Sequence, residues 1–160
     1  MTIVTQAEPA DVRALADIAE EMDRFYGAAK VEPAEIRMRQ ISEALFHDPP
    51  SAYALLAWNN NRPIGFASYS FLWPAVGLTR SLYLKELYVS EAARGQGIGK
   101  LLMQHLYNIA AKQGCSRVEW TTDRDNLDAQ GFYSQLGVPV QASKLFYRIE
   151  GDDLRASEQR

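Results

Sequence analysis

Hydrophobic residues recur along the chain at two spacings, and each spacing predicts a different kind of element. Repeats of three or four residues are typical of helices with one buried face. They predict four helices. These begin at Pro9, at Pro33, within the glycine-rich segment 94–100, and at Asn126. The residues predicted to end them are, in the same order, Gly27, the Asp48-Pro49-Pro50 run, Gly114 and Gly137.

Shorter apolar or alternating runs predict strands, because successive side chains of a strand point to opposite faces of a sheet. The predicted strands lie at residues 2–6, 53–58, 63–73, 82–89, 117–121, 138–141 and 144–149. Residues 59–61, all asparagine, are typical of a hairpin turn and make the second and third strands antiparallel. The order β-α-α-β-β-β-α-β-α-β-β therefore predicts an α/β (α+β) fold in which helices cover a mixed sheet.

The length and composition of the chain fit a single domain. Of its 160 residues, 47% are hydrophobic, which is enough to bury a core. We expect the domain to span residues 1–150 and residues 151–160 to form a polar tail.

The charge and the cysteine count narrow the choice of partners. The net charge of −3 and the acidic pI of 5.4 argue against a broad basic surface, so we expect neither nucleic acid nor a membrane as partner. One cysteine, Cys115, excludes an internal disulfide, and no long apolar run or signal-peptide pattern is present, which favours the cytoplasm. His47 and His105 have no Cys or carboxylate at ligand spacing, so no metal is expected.

The segment Arg94-Gly95-Gln96-Gly97-Ile98-Gly99-Lys100 carries the clearest chemical signal. It lies between a predicted strand and a predicted helix, and its glycines allow a tight turn and close approach of a ligand to the backbone. Unpaired N–H groups at the helix start, together with the helix dipole, favour an anion such as a phosphate. The spacing fits neither a dinucleotide fingerprint nor a P-loop. A glycine-rich turn without a ligand is the alternative.

This G-x-G-x-G spacing, after Arg94 and a strand that ends Leu87-Tyr88-Val89, resembles the acetyl-CoA loop of the GNAT superfamily of N-acetyltransferases. A second motif, Asn126-x-x-Ala129-x-x-Phe132-Tyr133-x-x-x-Gly137, follows at the separation usual in that family, and the resemblance extends from Thr2 to about Ile149. It implies a mostly antiparallel mixed sheet with one splayed strand pair, flanked by four helices. It also implies acetyl-CoA as co-substrate, bound by Leu87, Tyr88, Val89, Arg94, Gly95, Gln96, Gly97, Ile98, Gly99, Lys100, Asn126 and Tyr133.

The resemblance suggests two catalytic residues. Tyr133 is the candidate acid that protonates the departing thiolate, because the reference pKa of a phenol, about 10, is close to that of an alkyl thiol. Packing of Tyr133 beside Phe132 is the alternative reading. Glu86 is the candidate base for the incoming amine, although simple strand alternation points it away from Tyr83 and Lys85 unless a bulge intervenes. An exposed carboxylate paired with Lys85 is the alternative for Glu86.

The acceptor is expected to be a small-molecule amine, such as a polyamine or an aminoglycoside. Phe25, Tyr26 and Trp73 are the candidate substrate-binding residues, because aromatic faces bind cations. Two alternatives remain: a protein N-terminal or lysine acetyltransferase, and a non-catalytic acyl-CoA-binding sensor. The strand predicted around Leu145-Phe146-Tyr147 can present an open edge, which favours a homodimer.

Overall fold

The computed structural model describes residues 1–157, which divide into two compact units at residues 121 and 122. The first unit contains a five-stranded sheet and three helices, and the second contains two helices. The strands are β1 (Thr2–Gln6), β2 (Tyr53–Asn59), β3 (Arg62–Leu72), β4 (Arg80–Val89) and β5 (Cys115–Glu119). The helices are α1 (Val12–Phe25), α2 (Ala34–Leu45), α3 (Ile98–Lys112), α4 (Leu127–Gln135) and α5 (Gly151–Ser157).

The sheet is mixed and mostly antiparallel, as predicted. Its strand order is β1-β2-β3-β4-β5; the first four strands pair antiparallel, and β5 joins β4 in parallel after the α3 crossover. Pairing between β4 and β5 covers only Arg80 to Tyr83, whereas β4 continues to Val89. β5 ends at Glu119, opposite Tyr83, so within the described chain β4 has no strand partner on that side from Leu84 to Val89, as expected of the predicted splayed pair.

A β-bulge at Lys85 changes the direction of the side chains along β4. Ser68 of β3 lies opposite Glu86, but the next residue of β3, Tyr69, lies opposite Leu84, so Lys85 is the extra residue. Beyond the bulge, Ser70 lies opposite Tyr83. Since opposed residues share a face and Ser68 and Ser70 are two positions apart, Glu86 and Tyr83 lie on the same face of the sheet. Simple alternation had placed them on opposite faces, and for this pair it was wrong.

The two faces of the sheet are covered by different helices. On one face, Leu15 and Ile18 of α1 pack with Leu56, Phe66 and Tyr88 in a buried cluster. On the other, α3 lies against β3 and β4, and its buried residues are Ile98, Leu102, Met103, Leu106 and Ala110. The helical spacing of these residues in the sequence is thus explained by two separate apolar layers.

The second unit departs from the sequence prediction at its C-terminal end. Residues 138–150 contain no helix or strand, so the predicted strands at 138–141 and 144–149 are absent. Alternating apolar residues form a strand only where a neighbouring edge accepts their backbone hydrogen bonds, and here Val140 (88%) and Tyr147 (84%) are exposed. The segment predicted to be a polar tail begins with α5, which carries Asp152 and Asp153 in its first turn. The rest of the predicted tail, residues 158–160, lies outside the described residues.

Candidate active site

The glycine-rich loop forms a backbone cradle at the start of α3. Gly95 (φ 77°) and Gly97 (φ 81°) adopt the left-handed conformation, which other residues rarely tolerate, and both are exposed. The first hydrogen bond inside the helix runs from the Leu101 N–H to the Gly97 carbonyl, at 3.0 Å. The preceding N–H groups of the helix, at residues 98–100, therefore have no acceptor within it. Together with the helix dipole they suit an anion.

Arg94, the first residue of this loop, is held by two neighbouring elements. Its Nε donates a hydrogen bond to the Val89 carbonyl at the end of β4, at 3.0 Å. Its guanidinium carbon lies 4.2 Å from the ring centroid of Phe25 and 5.6 Å from that of Tyr88. Sequence analysis had assigned Arg94 to the phosphate site alone and gave no sign of this stacking, because Phe25 is distant in the chain.

Gly65 allows α3 to approach the sheet closely, and sequence analysis missed it. A methyl group there would lie 3.1 Å from the Tyr88 carbonyl oxygen and 3.4 Å from side-chain carbons of both Ile98 and Leu102. Only a glycine leaves room for the first turn of α3 against β3 and β4. The available signal was an isolated glycine inside a strand pattern, which often marks such an approach.

The outer half of β4 has no strand partner among the described residues on the side where β5 ends. Leu87 and Val89 are half-buried there, whereas the Tyr88 side chain is buried in the core beneath α1. Of the predicted cofactor residues on this strand, Tyr88 can therefore contact a ligand only through its backbone. The Val89 carbonyl is already an acceptor for Arg94.

The bulge gives Glu86 an exposed position on the α1 face of the sheet. Glu86 shares this face with Tyr83, Ser68 and the buried Tyr88, and both Lys85 and Glu86 are exposed. A second carboxylate, Glu119 of β5, lies opposite Tyr83 in the parallel ladder. It accepts a hydrogen bond from the Ser81 hydroxyl at 2.6 Å and forms an ion pair with Arg117.

Tyr88 links β4 to α1 through its hydroxyl group. The hydroxyl donates a hydrogen bond to Glu21 Oε2 at 2.8 Å. Burial, together with the hydrogen bond to the Glu21 carboxylate, raises the pKa of Tyr88 to about 12. The phenol is therefore neutral at physiological pH and serves as a fixed donor.

The structure brings two of the three candidate substrate residues together. Phe25 and Tyr26, at the end of α1, have ring centroids 5.2 Å apart in an edge-to-face arrangement, and both rings are exposed. Trp73, in the β3–β4 connection, donates its indole N–H to the Leu78 carbonyl at 2.9 Å. Within residues 1–157 no ring contact joins Trp73 to Phe25 or Tyr26.

In the second unit, Asn126 caps the helix that was predicted to begin at this residue. Its side-chain oxygen accepts a hydrogen bond from the Ala129 N–H at 3.1 Å, at the start of α4. Phe132 and Tyr133 are both half-buried, with ring centroids 5.2 Å apart. Their similar burial does not separate a packing residue from a site residue, so the role of Tyr133 stays a prediction.

Residues 1–157 contain no group of three or more side chains that can hold a metal ion. In the same part of the chain, no helix is both long enough and apolar enough to span a membrane.

Comparisons of this chain with a family model, with curated relatives and with solved structures agree with one another. Residues 15–138 match the family model described as the acetyltransferase (GNAT) family. A D-amino-acid N-acetyltransferase of Saccharomyces cerevisiae is 30% identical over 152 residues, covering 93% of this chain and 91% of that protein. An L-ornithine N5-acetyltransferase of Arabidopsis thaliana is 33% identical over 92 residues, which are 58% of this chain and 40% of that protein. A solved integron cassette protein from the mobile metagenome of V. cholerae superposes with a TM-score of 0.92 at 30% identity, covering 99% of this chain and 98% of that one.

Proposed function

We propose that this chain, which belongs to the acetyltransferase (GNAT) family, transfers the acetyl group of acetyl-CoA directly to the amine of a small molecule. One observation carries the proposal: Arg94, at the start of the glycine cradle, bonds to the end of β4, in the half of that strand that β5 leaves unpaired. An anion site and an open strand edge together match the two ends of acetyl-CoA, a diphosphate and an amide-bearing arm.

The first unit supplies a binding group for each part of acetyl-CoA. The N–H groups of residues 97–100, with Arg94 and Lys100, suit the diphosphate. Backbone groups of Leu87, Tyr88 and Val89 suit the amides of the arm, which would pair with β4 as an added strand does. Backbone N–H groups at this edge are also suited to stabilising charge on the thioester oxygen.

Transfer requires one bond to form and one to break, with two protons to place. The amine nitrogen attacks the thioester carbonyl carbon, and the carbon–sulfur bond then breaks to release a thiolate. We assign Glu86 to accept the proton of the incoming amine, because the bulge at Lys85 exposes it on the α1 face beside Tyr83. We assign Tyr133 to give a proton to the thiolate, on the strength of its position in the family motif.

The acceptor we favour is a small amine rather than a protein. The relatives just described act on D-amino acids and on ornithine. On this chain, the exposed rings of Phe25 and Tyr26 offer cation-binding faces at the end of α1. Trp73, the third candidate, is fixed by Leu78 and remains in the proposal as a wall of the acceptor site. An acetyl-CoA-dependent enzyme of this kind would work in the cytoplasm.

The decisive test is free-thiol release from acetyl-CoA across a panel of D-amino acids, ornithine, polyamines, aminoglycosides and short peptides. We expect release with one class of small amines and its collapse in Tyr133→Phe. Release with peptides alone would replace the acceptor class by a protein N-terminus or lysine. Tight acetyl-CoA binding without release from any amine would favour an acyl-CoA sensor, and an unchanged rate in Tyr133→Phe would remove Tyr133 from the mechanism.

We also propose that the protein forms a homodimer through residues 138–149. This segment has the composition of two strands but no strand partner within the described part of its own chain. Its exposed apolar residues are Val140, Leu145, Phe146, Tyr147 and Ile149. A second copy of the chain would cover them.

A further inference from the structure

Arg94 lies where the acetyl-CoA loop and the acceptor side of the site meet. We infer that Arg94 is a positioning residue that couples the two, so that binding of acetyl-CoA tightens binding of the amine. The inference rests on the proposed function, since it concerns the same two substrates. Three contacts carry it.

The first contact fixes the loop to the sheet. The bond from Arg94 Nε to the Val89 carbonyl, at 3.0 Å, joins the first residue of the loop to the last residue of β4. Among residues 1–157, no hydrogen-bond acceptor is found for the two terminal nitrogens of Arg94. Those nitrogens remain available to an anion held in the cradle, while Nε holds the plane of the guanidinium in place.

The second contact extends from Arg94 to α1. The guanidinium stacks on Phe25, the last residue of α1, at 4.2 Å from the ring centroid. Phe25 in turn contacts the rings of Tyr26 and Tyr88, at centroid distances of 5.2 and 6.1 Å. An anion bound to the terminal nitrogens would restrain the guanidinium further, and with it the aromatic end of α1, where the amine is proposed to bind.

The third contact fixes the C-terminal end of α1 to the sheet. One turn before Phe25, Glu21 accepts the hydrogen bond of the buried Tyr88 hydroxyl at 2.8 Å. The helix then closes with hydrogen bonds from the Tyr26 N–H to Met22 and from the Gly27 N–H to Arg24. Because both ends of the contact are fixed, a change at Arg94 is transmitted to Phe25 rather than absorbed by a mobile loop.

We predict that the coupling between the two substrates depends on the contact between the Arg94 guanidinium and the Phe25 ring. A coupling factor measures it. The factor is the affinity for the best amine of the panel in the presence of CoA, divided by its affinity without CoA, both measured by calorimetry. We expect a factor of at least about two to five for the unmodified protein, the size of an exposed cation–π contact, and a fall towards one in Phe25→Leu. Arg94→Lys keeps the charge but loses the planar stack, so it should lose the factor while still binding CoA.

The chain provides matched controls. Arg80 stacks on Phe71 at 4.6 Å and donates to the Gln113 carbonyl, which is the same type of contact away from the loop, so Phe71→Leu should keep the factor. Phe25→Tyr keeps the aromatic ring, so it should also keep the coupling factor. A direct contact of Phe25 with the amine would change both affinities and leave their ratio intact, which separates that role from coupling.

The outcomes that would overturn the inference are distinct from those that would overturn the function. An active enzyme whose Phe25→Leu variant keeps the full factor removes the coupling role and leaves the proposed function standing. The double variant of Phe25→Leu and Arg94→Lys should lose no more than either single one, and additive losses would also remove it. An unmodified protein with no turnover of any amine would instead remove the proposed function.

Discussion

A single residue, Lys85, decides which face of the sheet Glu86 occupies. Without the bulge, Glu86 would point away from Tyr83; with it, both lie on the face that α1 covers. The backbone irregularity thus moves a carboxylate to the side where the acceptor is proposed to bind. The assignment of Glu86 as base depends on this geometry.

Replacing Glu86 by Gln should remove the base while keeping the shape of the side chain. We expect kcat to fall by about two to four orders of magnitude, the usual contribution of a general base, and the acidic limb of the pH profile to disappear. Glu119→Gln is the control, because Glu119 is engaged by Ser81 and Arg117, and it should keep the acidic limb. An acidic limb that survives in Glu86→Gln would assign proton removal to water or another group.

Because the pKa of Tyr88 is raised, the free energy of unfolding should decrease as the pH rises into the alkaline range. The folded protein holds the phenol proton up to a pKa of about 12, whereas the unfolded chain releases it near 10. Above pH 10 the folded state therefore binds more protons, and the free energy of unfolding should fall by at most about 1.4 kcal/mol per pH unit until pH 12.

Tyr88→Phe should remove this component of the decline, as measured by denaturant unfolding between pH 8 and 12. Tyr147→Phe changes an exposed tyrosine and should keep the decline. Parallel curves for Tyr88→Phe and the unmodified protein would show that Tyr88 does not cause it.

Which of these residues the sequence could reveal depends on whether their roles are local. Gly97 needs a left-handed backbone and Asn126 caps the helix that it begins, so both could be predicted from their immediate neighbours. The bulge at Lys85 depends on pairing with Ser68 and Tyr69, and the stacking of Arg94 depends on Phe25. Neither partner is close in the chain, so neither contact has a local signal.

At the level of elements, the position of α3 depends on Gly65. In Gly65→Ala the new methyl would press on the Tyr88 carbonyl at 3.1 Å, and a paired strand cannot easily yield. We expect a loss of about 1–3 kcal/mol in the free energy of unfolding, as for other overpacked cores, together with weaker acetyl-CoA binding as the cradle shifts.

Gly131→Ala provides the comparison for Gly65→Ala. Gly131 lies inside α4, and a methyl group there would meet no atom within 4 Å. The Gly131→Ala substitution should stabilise the protein by up to about 1 kcal/mol, because alanine has a higher helix propensity than glycine. Equal effects of the two substitutions would show that loss of glycine itself, and not the contact at Gly65, sets the stability.

The strands predicted at 138–141 and 144–149 show the limit of pattern reading for a whole element. The apolar residues of this segment fit a strand pattern, but the prediction was wrong because a strand also needs a partner edge, and the described part of the chain supplies none for these residues. The helices were predicted more reliably, because an α-helix forms its hydrogen bonds within itself.

At the level of the whole molecule, the exposed apolar segment predicts the assembly. Phe146→Asp would place a charge in the proposed dimer interface, so we expect the mass measured by light scattering to fall from that of two chains to that of one. Val76→Asp alters an equally exposed apolar residue in the first unit and should leave the mass unchanged. A monomeric unmodified protein would contradict the proposal.

The strand order also predicts the sequence in which the strands pair during folding. Residues 60–61 and 73–79 are the short links within β2-β3-β4, whereas β5 joins β4 only after residues 90–114 have folded back as α3. Closing a longer loop costs more entropy, so the parallel β4–β5 contact should form late, after the rate-limiting step. A ligand bound where β5 ends beside β4 would then slow unfolding and leave the refolding rate unchanged, which stopped-flow kinetics with and without acetyl-CoA can measure.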